Sequence, residues 1–241
     1  MNTTMHLIAL RQVKHSERHT ILTAYSREAG RVAFAISAGG GKEAMRMRSM
    51  LHPLALTECV AHATAGREVM RMTQTRSLTP LYGIQTHPVK GSIAMFMAEV
   101  VETVTRDSGA DTVLWDYLRG SIEVLESAPA SHIANLHLCF LYGLGRCLGI
   151  EPDITGYHSG MIFDMADGIF RLSAPMHSHY LDPEESATVV ALSRISYANM
   201  HAMKMSRSQR NRVLDMMLGY YALHHTSFAS LKSLDVLRML F

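Results

Sequence analysis

The sequence is poor in cysteine, in aromatic residues and in long hydrophobic runs. Its 241 residues include three cysteines and one tryptophan, and aromatic residues make up 7% of the chain. Three cysteines are too few for a disulfide scaffold or a four-cysteine zinc site. No apolar stretch reaches the roughly 18 residues of a membrane-spanning helix, and the first residues lack the pattern of a signal peptide. We therefore expect a soluble, cytoplasmic protein with reduced thiols and no membrane partner.

Positive charge is concentrated in the first third of the chain. Residues 1–80 contain eleven Lys and Arg against five Asp and Glu, a net charge of +6. Residues 81–241 carry −4, which leaves +2 for the whole chain. A basic first third indicates a polyanionic partner, and an arginine-rich solvated surface is the alternative interpretation.

The first 80 residues follow the period of β-strands. Strands are expected at residues 5–11, 20–25, 32–36, 54–63 and 69–76. Residues 39–48 begin with three glycines, and we expect them to be irregular. Five short strands with one long central connection fit a small barrel of the OB type.

After residue 80 the hydrophobic period becomes that of α-helices. Helices are expected from Pro88, at residues 111–126 and 131–148, from Asp182, from Ser206 to about 225, and at the end of the chain. Residues 150–181 are rich in Gly and Pro, and we expect an irregular insert with a hairpin around Asp167-Gly168. The predicted fold class is α+β: an OB-type barrel at residues 1–80, then an α-helical domain at residues 81–241.

Motifs for catalysis are missing. Gly39-Gly-Gly-Lys42 is not a phosphate-binding loop, because Glu43 stands where Ser or Thr is required and Ile36 where the first glycine belongs. The chain has no Gly-x-Ser-x-Gly or His-Glu-x-x-His sequence. No pair of neighbouring histidines has a Cys, Asp or Glu at the spacing of a metal site. We expect neither an enzyme nor a cofactor.

Basic residues are the remaining functional signal of the first 80 residues. They form two groups in the sequence: Arg11, Lys14 and Arg18 after the first strand, and Lys42, Arg46 and Arg48 on the central connection. OB barrels bind single strands through a basic groove and stacking aromatics. Here only Tyr25, Phe34 and Tyr82 are available, and Phe34 alternates onto the core side. Backbone electrostatics would therefore dominate binding.

The order of these parts resembles the RecO recombination-mediator family, in the form found in Bacteroidetes-type bacteria. The resemblance is carried by residues 23–31 (TAYSREAGR), 48–54 (RSMLHPL), 94–99 (AMFMAE), 140–152 (FLYGLGRCLGIEP), 204–212 (KMSRSQRNR) and 228–237 (FASLKSLDVL). No segment is diagnostic alone, but their order and spacing are specific and cover nearly the whole chain.

The resemblance implies a DNA repair and recombination mediator without catalytic chemistry. Such a protein binds single- and double-stranded DNA and anneals complementary strands. Its implied partners are RecR, the C-terminal tail of single-strand binding protein and, indirectly, RecA and RecF. It would work in the cytoplasm, on the nucleoid when bound to DNA. An OB-type RNA-binding module and an unrecognised enzyme are the alternatives.

The resemblance also implies where the sites lie. The DNA-contacting residues would be Arg11, Lys14, Arg18, Arg27, Arg31, Lys42, Arg46 and Arg48. An acidic tail that ends in a hydrophobic residue would bind beside the last long helix, at Lys204, Arg207 and Arg210. Many family members carry a four-cysteine zinc module after the segment that matches residues 148–152. Residues 150–181 contain no cysteine, so no zinc is expected.

Overall fold

The computed structural model describes residues 2–225, 228 and 231–240. These residues form two compact units. The first consists of residues 2–127 and 231–237, and the second of residues 128–225, 228 and 238–240. No helix in these described ranges is long and apolar enough to cross a membrane.

The first unit begins with a closed five-stranded barrel. Its strands are β1 (Asn2–Lys14), β2 (His19–Ser26), β3 (Gly30–Ser37), β4 (Leu56–His62) and β5 (Val69–Ser77). They are arranged in the order β1-β2-β3-β5-β4. All neighbours are antiparallel except β3 and β5, which pair in parallel over Ala33–Ala35 and Val69–Arg71. The predicted strands and the OB-type barrel are therefore confirmed.

Side chains along β2 and β3 alternate between the inside and the outside of the barrel, and the inward ones build its core. Leu22, Ala24 and Phe34 point inward and are fully buried. Their neighbours Ile21 and Ala35 pair across the two strands on the outer face. Because side chains of a strand alternate between faces, the inward set fixes which residues the barrel presents outward.

The glycine-rich connection differs from its prediction. Residues 39–48 were expected to be irregular, but a helix, α1 (Lys42–Met50), follows the glycines directly. Residues such as Glu43 and Met45 favour helices, and Glu43 lies in the first turn. The Gln12 side chain donates hydrogen bonds to the carbonyls of Arg48 and Leu51, at 3.0 and 2.8 Å, and thereby ties the end of α1 to β1.

Three helices follow the barrel in the first unit: α2 (Tyr82–Thr86), α3 (Pro88–Val104) and α4 (Thr112–Ser127). The helix predicted after the change of period at His87-Pro88 and the predicted α4 are confirmed, whereas the five-residue α2 was too short to predict. The Glu126 carboxylate accepts hydrogen bonds from the amides of Gly83 and Ile84 at 2.7 and 2.8 Å. The last barrel strand ends at Ser77, and these helices belong to the same compact unit, whose first segment ends at Ser127.

Gly30 offers a test of how residues 108–109 close over the barrel. Its φ is +71°, and a Cβ there would lie 2.3 Å from the carbonyl carbon of Gly109. We expect Gly30→Ala to lower the free energy of unfolding by about 2 kcal/mol, because a left-handed backbone and a steric clash are combined. Gly66→Ala is the matched control, since Gly66 has a φ of +73° with no neighbour within 4 Å. Urea denaturation measures both, and equal losses would contradict the steric contact.

The second unit combines helices with a small sheet. Its elements are a 3₁₀ helix (Ala130–Asn135), α5 (Leu136–Cys147), β6 (Ile162–Asp164), β7 (Ile169–Arg171), β8 (Tyr180–Leu181), α6 (Pro183–Ser193), a second 3₁₀ helix (Met200–Ala202) and α7 (Arg207–His224). A last helix, α8, spans Leu234–Leu240, and its residues 234–237 belong to the first unit. The predicted caps are confirmed: Asp182 accepts from the Glu185 amide, and Ser206 and Gln209 form a capping box. The predicted helix 131–148 is divided, because its first turn and a half is 3₁₀.

The expected irregular insert also contains regular structure. The predicted hairpin around Asp167-Gly168 is confirmed by the pairing of β6 with β7, and β8 adds a third strand in the order β7-β6-β8. Phe163 and Leu181 of this sheet pack with Val189 and Tyr220 in one buried cluster. The sheet was missed because its strands are only two or three residues long.

Candidate nucleic-acid interface and partner pocket

The basic residues expected to contact DNA lie at two ends of the barrel. Arg18 lies in the β1–β2 loop, and the amide of Ala38 donates to its carbonyl at 2.9 Å, which brings this loop beside the connection to Lys42 and Arg46. Arg27 and Arg31 lie at the β2–β3 turn. The eight residues of β2 separate the two ends by about 23 Å. A short single strand of nucleic acid can therefore bind at one end of the barrel without contacting the basic residues at the other end.

Three of the expected cations have partners within the protein, among them Arg46, whose exposed Nη1 lies 3.9 Å from Oε2 of Glu43. The Nε of Arg11 lies 3.4 Å from Oε1 of Glu102 on α3, and Glu102 offsets its charge. The Nη1 of Arg48 donates to the carbonyls of Ser37 and Gly39, at 2.9 and 3.0 Å. Arg48 therefore positions the connection between β3 and α1, while Lys42 and Arg46 are exposed.

An open cleft runs over the outer face of β2, β3 and β5. Its volume is about 550 Å³. The residues that line this barrel cleft are His15, His19, Ile21, Ala35, Arg67, Glu68, Val69 and Arg71. Parallel pairing of β3 with β5 places Arg71 opposite Ala35, and the small alanine leaves space in front of the arginine. The cleft carries two guanidinium groups, two imidazoles and one carboxylate.

The other half of this barrel face is covered by the connection between α3 and α4. The amide of Asp111 donates to the hydroxyl of Tyr25 at 3.2 Å, and Tyr25 is completely buried. Burial is the largest of the causes that raise the pKa of Tyr25. Tyr25 is therefore closed to bases, and Phe34 lies in the core as expected. The exposed aromatic side chain of Tyr82 lies on α2 and does not line the cleft.

Four residues of the barrel cleft were missed at the sequence level: His15, His19, Arg67 and Arg71. The first two lie in or beside the β1–β2 loop, and Arg67 lies in the β4–β5 loop. In OB barrels these two loops flank the ligand-binding face. The signal available in the sequence was therefore the position of each residue relative to the predicted strands, rather than the local density of charge.

The residues expected to bind a partner peptide have three different environments. Lys204 is exposed and lines a pocket of about 350 Å³ beside the start of α7. Arg207, in the first turn of α7, is exposed and donates from Nε and Nη2 to the carbonyl of Arg238, at 3.1 and 2.9 Å. Arg210 is 8% exposed and forms part of the pocket wall. Burial lowers the pKa of Arg210 from its ordinary value.

This α7 pocket is held by a buried amide. Asn135 donates from Nδ2 to the carbonyls of Met200 and Met203, at 2.9 and 2.7 Å, and its Oδ1 accepts from Nε of Arg210 at 2.9 Å. Arg210 also donates to the carbonyl of Met205 at 3.1 Å. The pocket is therefore preorganised, with Met203 and Met205 as its apolar part and the positive end of the α7 dipole beside it.

The insert of residues 150–181 is held by a buried carboxylate, Asp164, whose side chain is 1% exposed. Its Oδ2 accepts from Nε of Arg171 at 2.7 Å, and its Oδ1 accepts from the amides of Ala166 and Asp167 and lies 3.4 Å from Nε2 of His177. Among the described residues, no group of three His, Cys, Asp or Glu side chains is placed to hold a metal ion. Asp164 therefore ties the β6–β7 hairpin to Arg171 and His177.

Comparison with known proteins gives matches over nearly the whole chain. The family model described as Recombination protein O N terminal matches residues 1–81, and Recombination protein O C terminal matches residues 85–235. The chain is 35% identical over 235 residues to the DNA repair protein RecO of Bacteroides fragilis, and 36% identical over 240 residues to that of Porphyromonas gingivalis. Each alignment covers 97% of both chains. A third protein of the same name, from Flavobacterium psychrophilum, is 24% identical.

Proposed function

Because the chain belongs to the recombination protein O family of DNA repair proteins, we propose that it is a recombination mediator that binds DNA through the barrel cleft. The observation that carries this proposal is the pair of guanidinium groups, Arg67 and Arg71, in an open cleft between the two loops that flank the ligand face of OB barrels. Lys14, Arg18, Lys42 and Arg46 extend the positive surface from the same end of the barrel.

Phosphate neutralisation is the proposed source of affinity. The described residues that line the cleft include two arginines, two histidines and one glutamate but no Phe, Tyr or Trp. Stacking of bases on large aromatic rings therefore contributes little, and His15 and His19 supply the rings among these residues. Contacts to the backbone carry no sequence information. A protein that screens the phosphates while it leaves the bases exposed brings two complementary strands together, which accounts for annealing. Double-stranded DNA binds to the same positive surface by its backbone.

A salt series tests this proposal. With about four phosphates contacted, the logarithm of the binding constant for single strands should fall with the logarithm of salt concentration with a slope of about −3. The measurement is the fluorescence anisotropy of a labelled oligonucleotide, with an RNA of the same sequence in parallel. Absence of binding at low salt would contradict the proposal, and a preference for RNA would favour an RNA-binding module instead.

The partners are proposed from the family and from the α7 pocket. We propose that the protein acts in the cytoplasm, without catalysis and without a cofactor, together with RecR and indirectly with RecA and RecF. The acidic tail of single-strand binding protein would bind at the α7 pocket, where Lys204 and the wall residue Arg210 lie beside two methionines. Charge reversal of Lys204, which lines the pocket, should strongly weaken binding of an acidic peptide in calorimetry. Arg210 is unsuited to this test because its loss would also break the bond to Asn135.

A further inference from the structure

Two stacked imidazoles form one wall of the α7 pocket. The ring centroids of His132 and His201 are 4.6 Å apart, and the ring planes make an angle of 20°. Each ring belongs to a different 3₁₀ helix, and both residues are exposed and line the pocket. Asn135 ties the two helices together, since it follows His132 on the first and donates to the carbonyl of Met200 on the second. The stacked pair is therefore fixed by the fold.

The charges that face this pair are all positive. Lys204 comes from the segment before α7, Arg210 from α7 itself, and the amino end of α7 adds its dipole. The described residues that line the pocket include no Asp or Glu. From α5, His137 contributes no charge near neutral pH, because burial and then Arg210 lower its pKa to about 3.

We propose that the α7 pocket binds the carboxylates of an acidic peptide with uptake of a proton by the His132–His201 pair. The stacked imidazoles share the pocket with Lys204 and Arg210. A bound carboxylate offsets the positive charge of the pocket and accepts hydrogen bonds from an imidazolium. Protonation is therefore favoured in the complex, and by linkage the affinity for the peptide rises as the pH falls. The inference rests on the proposed peptide-binding function of the same pocket.

The pH dependence of peptide binding by the full chain tests this inference. The ligand is a synthetic acidic peptide whose last two residues are apolar, titrated calorimetrically between pH 6 and pH 8. Its carboxylates are ionised throughout this range, so a change in affinity reports on the protein. One proton taken up changes the affinity by at most tenfold per pH unit, and we expect binding about tenfold tighter at pH 6 than at pH 8. Repeating the titration in buffers of different ionisation enthalpy gives the number of protons taken up on binding.

Variants assign the proton to the stacked pair. His132→Asn combined with His201→Asn should remove the pH dependence of peptide binding, whereas His158→Asn, an exposed histidine outside the pocket, should leave that pH dependence unchanged. If the double variant does not fold, the profile and proton count of the native chain decide. Peptide binding that is independent of pH would overturn this inference alone. Absence of peptide binding at every pH would overturn the proposed peptide-binding function as well, and binding of an oligonucleotide at this pair would assign the pocket to nucleic acid instead.

Discussion

Replacing Arg67 and Arg71 together with glutamate is expected to weaken binding of a single-stranded oligonucleotide by about 100-fold at low salt. Each arginine that neutralises one phosphate contributes about 0.7 to the salt slope on single strands, so the slope should also become shallower by about 1.4. The loss should be similar for oligonucleotides of different sequence, because phosphate contacts do not read bases. Anisotropy titrations at several salt concentrations give both quantities.

The matched control is the double variant Arg27→Glu, Arg31→Glu. It makes the same change in net charge at the opposite end of β2, where both arginines are exposed. We expect a loss of less than tenfold from the change in the long-range field alone. Because Arg27 and Arg31 are also implied as contacts by the family resemblance, this variant decides their role: a loss equal to that of the cleft variant would extend the DNA surface around the barrel.

Replacing Asp164 with alanine is expected to lower the free energy of unfolding of the second unit by about 4 kcal/mol. The variant leaves Arg171 without the carboxylate that accepts from its Nε, and it removes the acceptor of two backbone amides. An unpaired buried polar group costs about 1–3 kcal/mol; the two amides bear most of this loss, because the Arg171 side chain is 39% exposed. For a chain of this size the melting temperature should fall by roughly 10 °C, which circular dichroism measures. Asp167→Ala is the control, since Asp167 pairs with the same arginine but is exposed.

The same carboxylate makes stability depend on acid pH. Burial by itself raises the pKa of Asp164. The hydrogen bonds from Arg171 and from the amides of Asp167 and Ala166, together with the charge of His177, lower the pKa by more than burial raises it. The net pKa of Asp164 is therefore below its ordinary value. A lowered pKa in the folded state gives a contribution that is complete above the unfolded value of about 3.9 and is lost as the pH falls below it. Asp164→Ala should therefore lose less stability than the native chain between pH 5 and pH 2. Equal losses would contradict this role of Asp164.

Local patterns in the sequence were sufficient to predict most of the strands and helices. The alternation around Phe34 indicated a half-buried strand, and Asp182 and Ser206 indicated helix starts, because these signals depend on residues within a few positions of one another. The barrel cleft depends on a parallel pairing between residue 35 and residue 71, which local patterns do not specify. Arg67 and Arg71 were counted in the charge of the first 80 residues but could not be placed in a site.

Charge alone also did not distinguish the environments of the basic residues near α7. Lys204 and Arg210 are both cations in one short segment, yet Lys204 is exposed and Arg210 is buried against Asn135. That burial depends on a residue 75 positions earlier in the chain. The stacked pair of His132 and His201 is similarly brought together from separate segments, so the polar lining of the pocket could not be predicted from spacing.

The cover over Tyr25 has a consequence for synthesis on the ribosome. The last barrel strand ends at Ser77. The residues that cover Gly30 and form a hydrogen bond with the hydroxyl of Tyr25 come later in the chain and extend to Asp111. At about 5–20 residues per second, these residues are made roughly two to seven seconds after the barrel strands. During that interval the nascent chain presents the uncovered face of a tyrosine and a tight glycine turn. A chaperone that recognises exposed apolar surface would therefore meet this protein at the barrel first, before α3 and α4 are made.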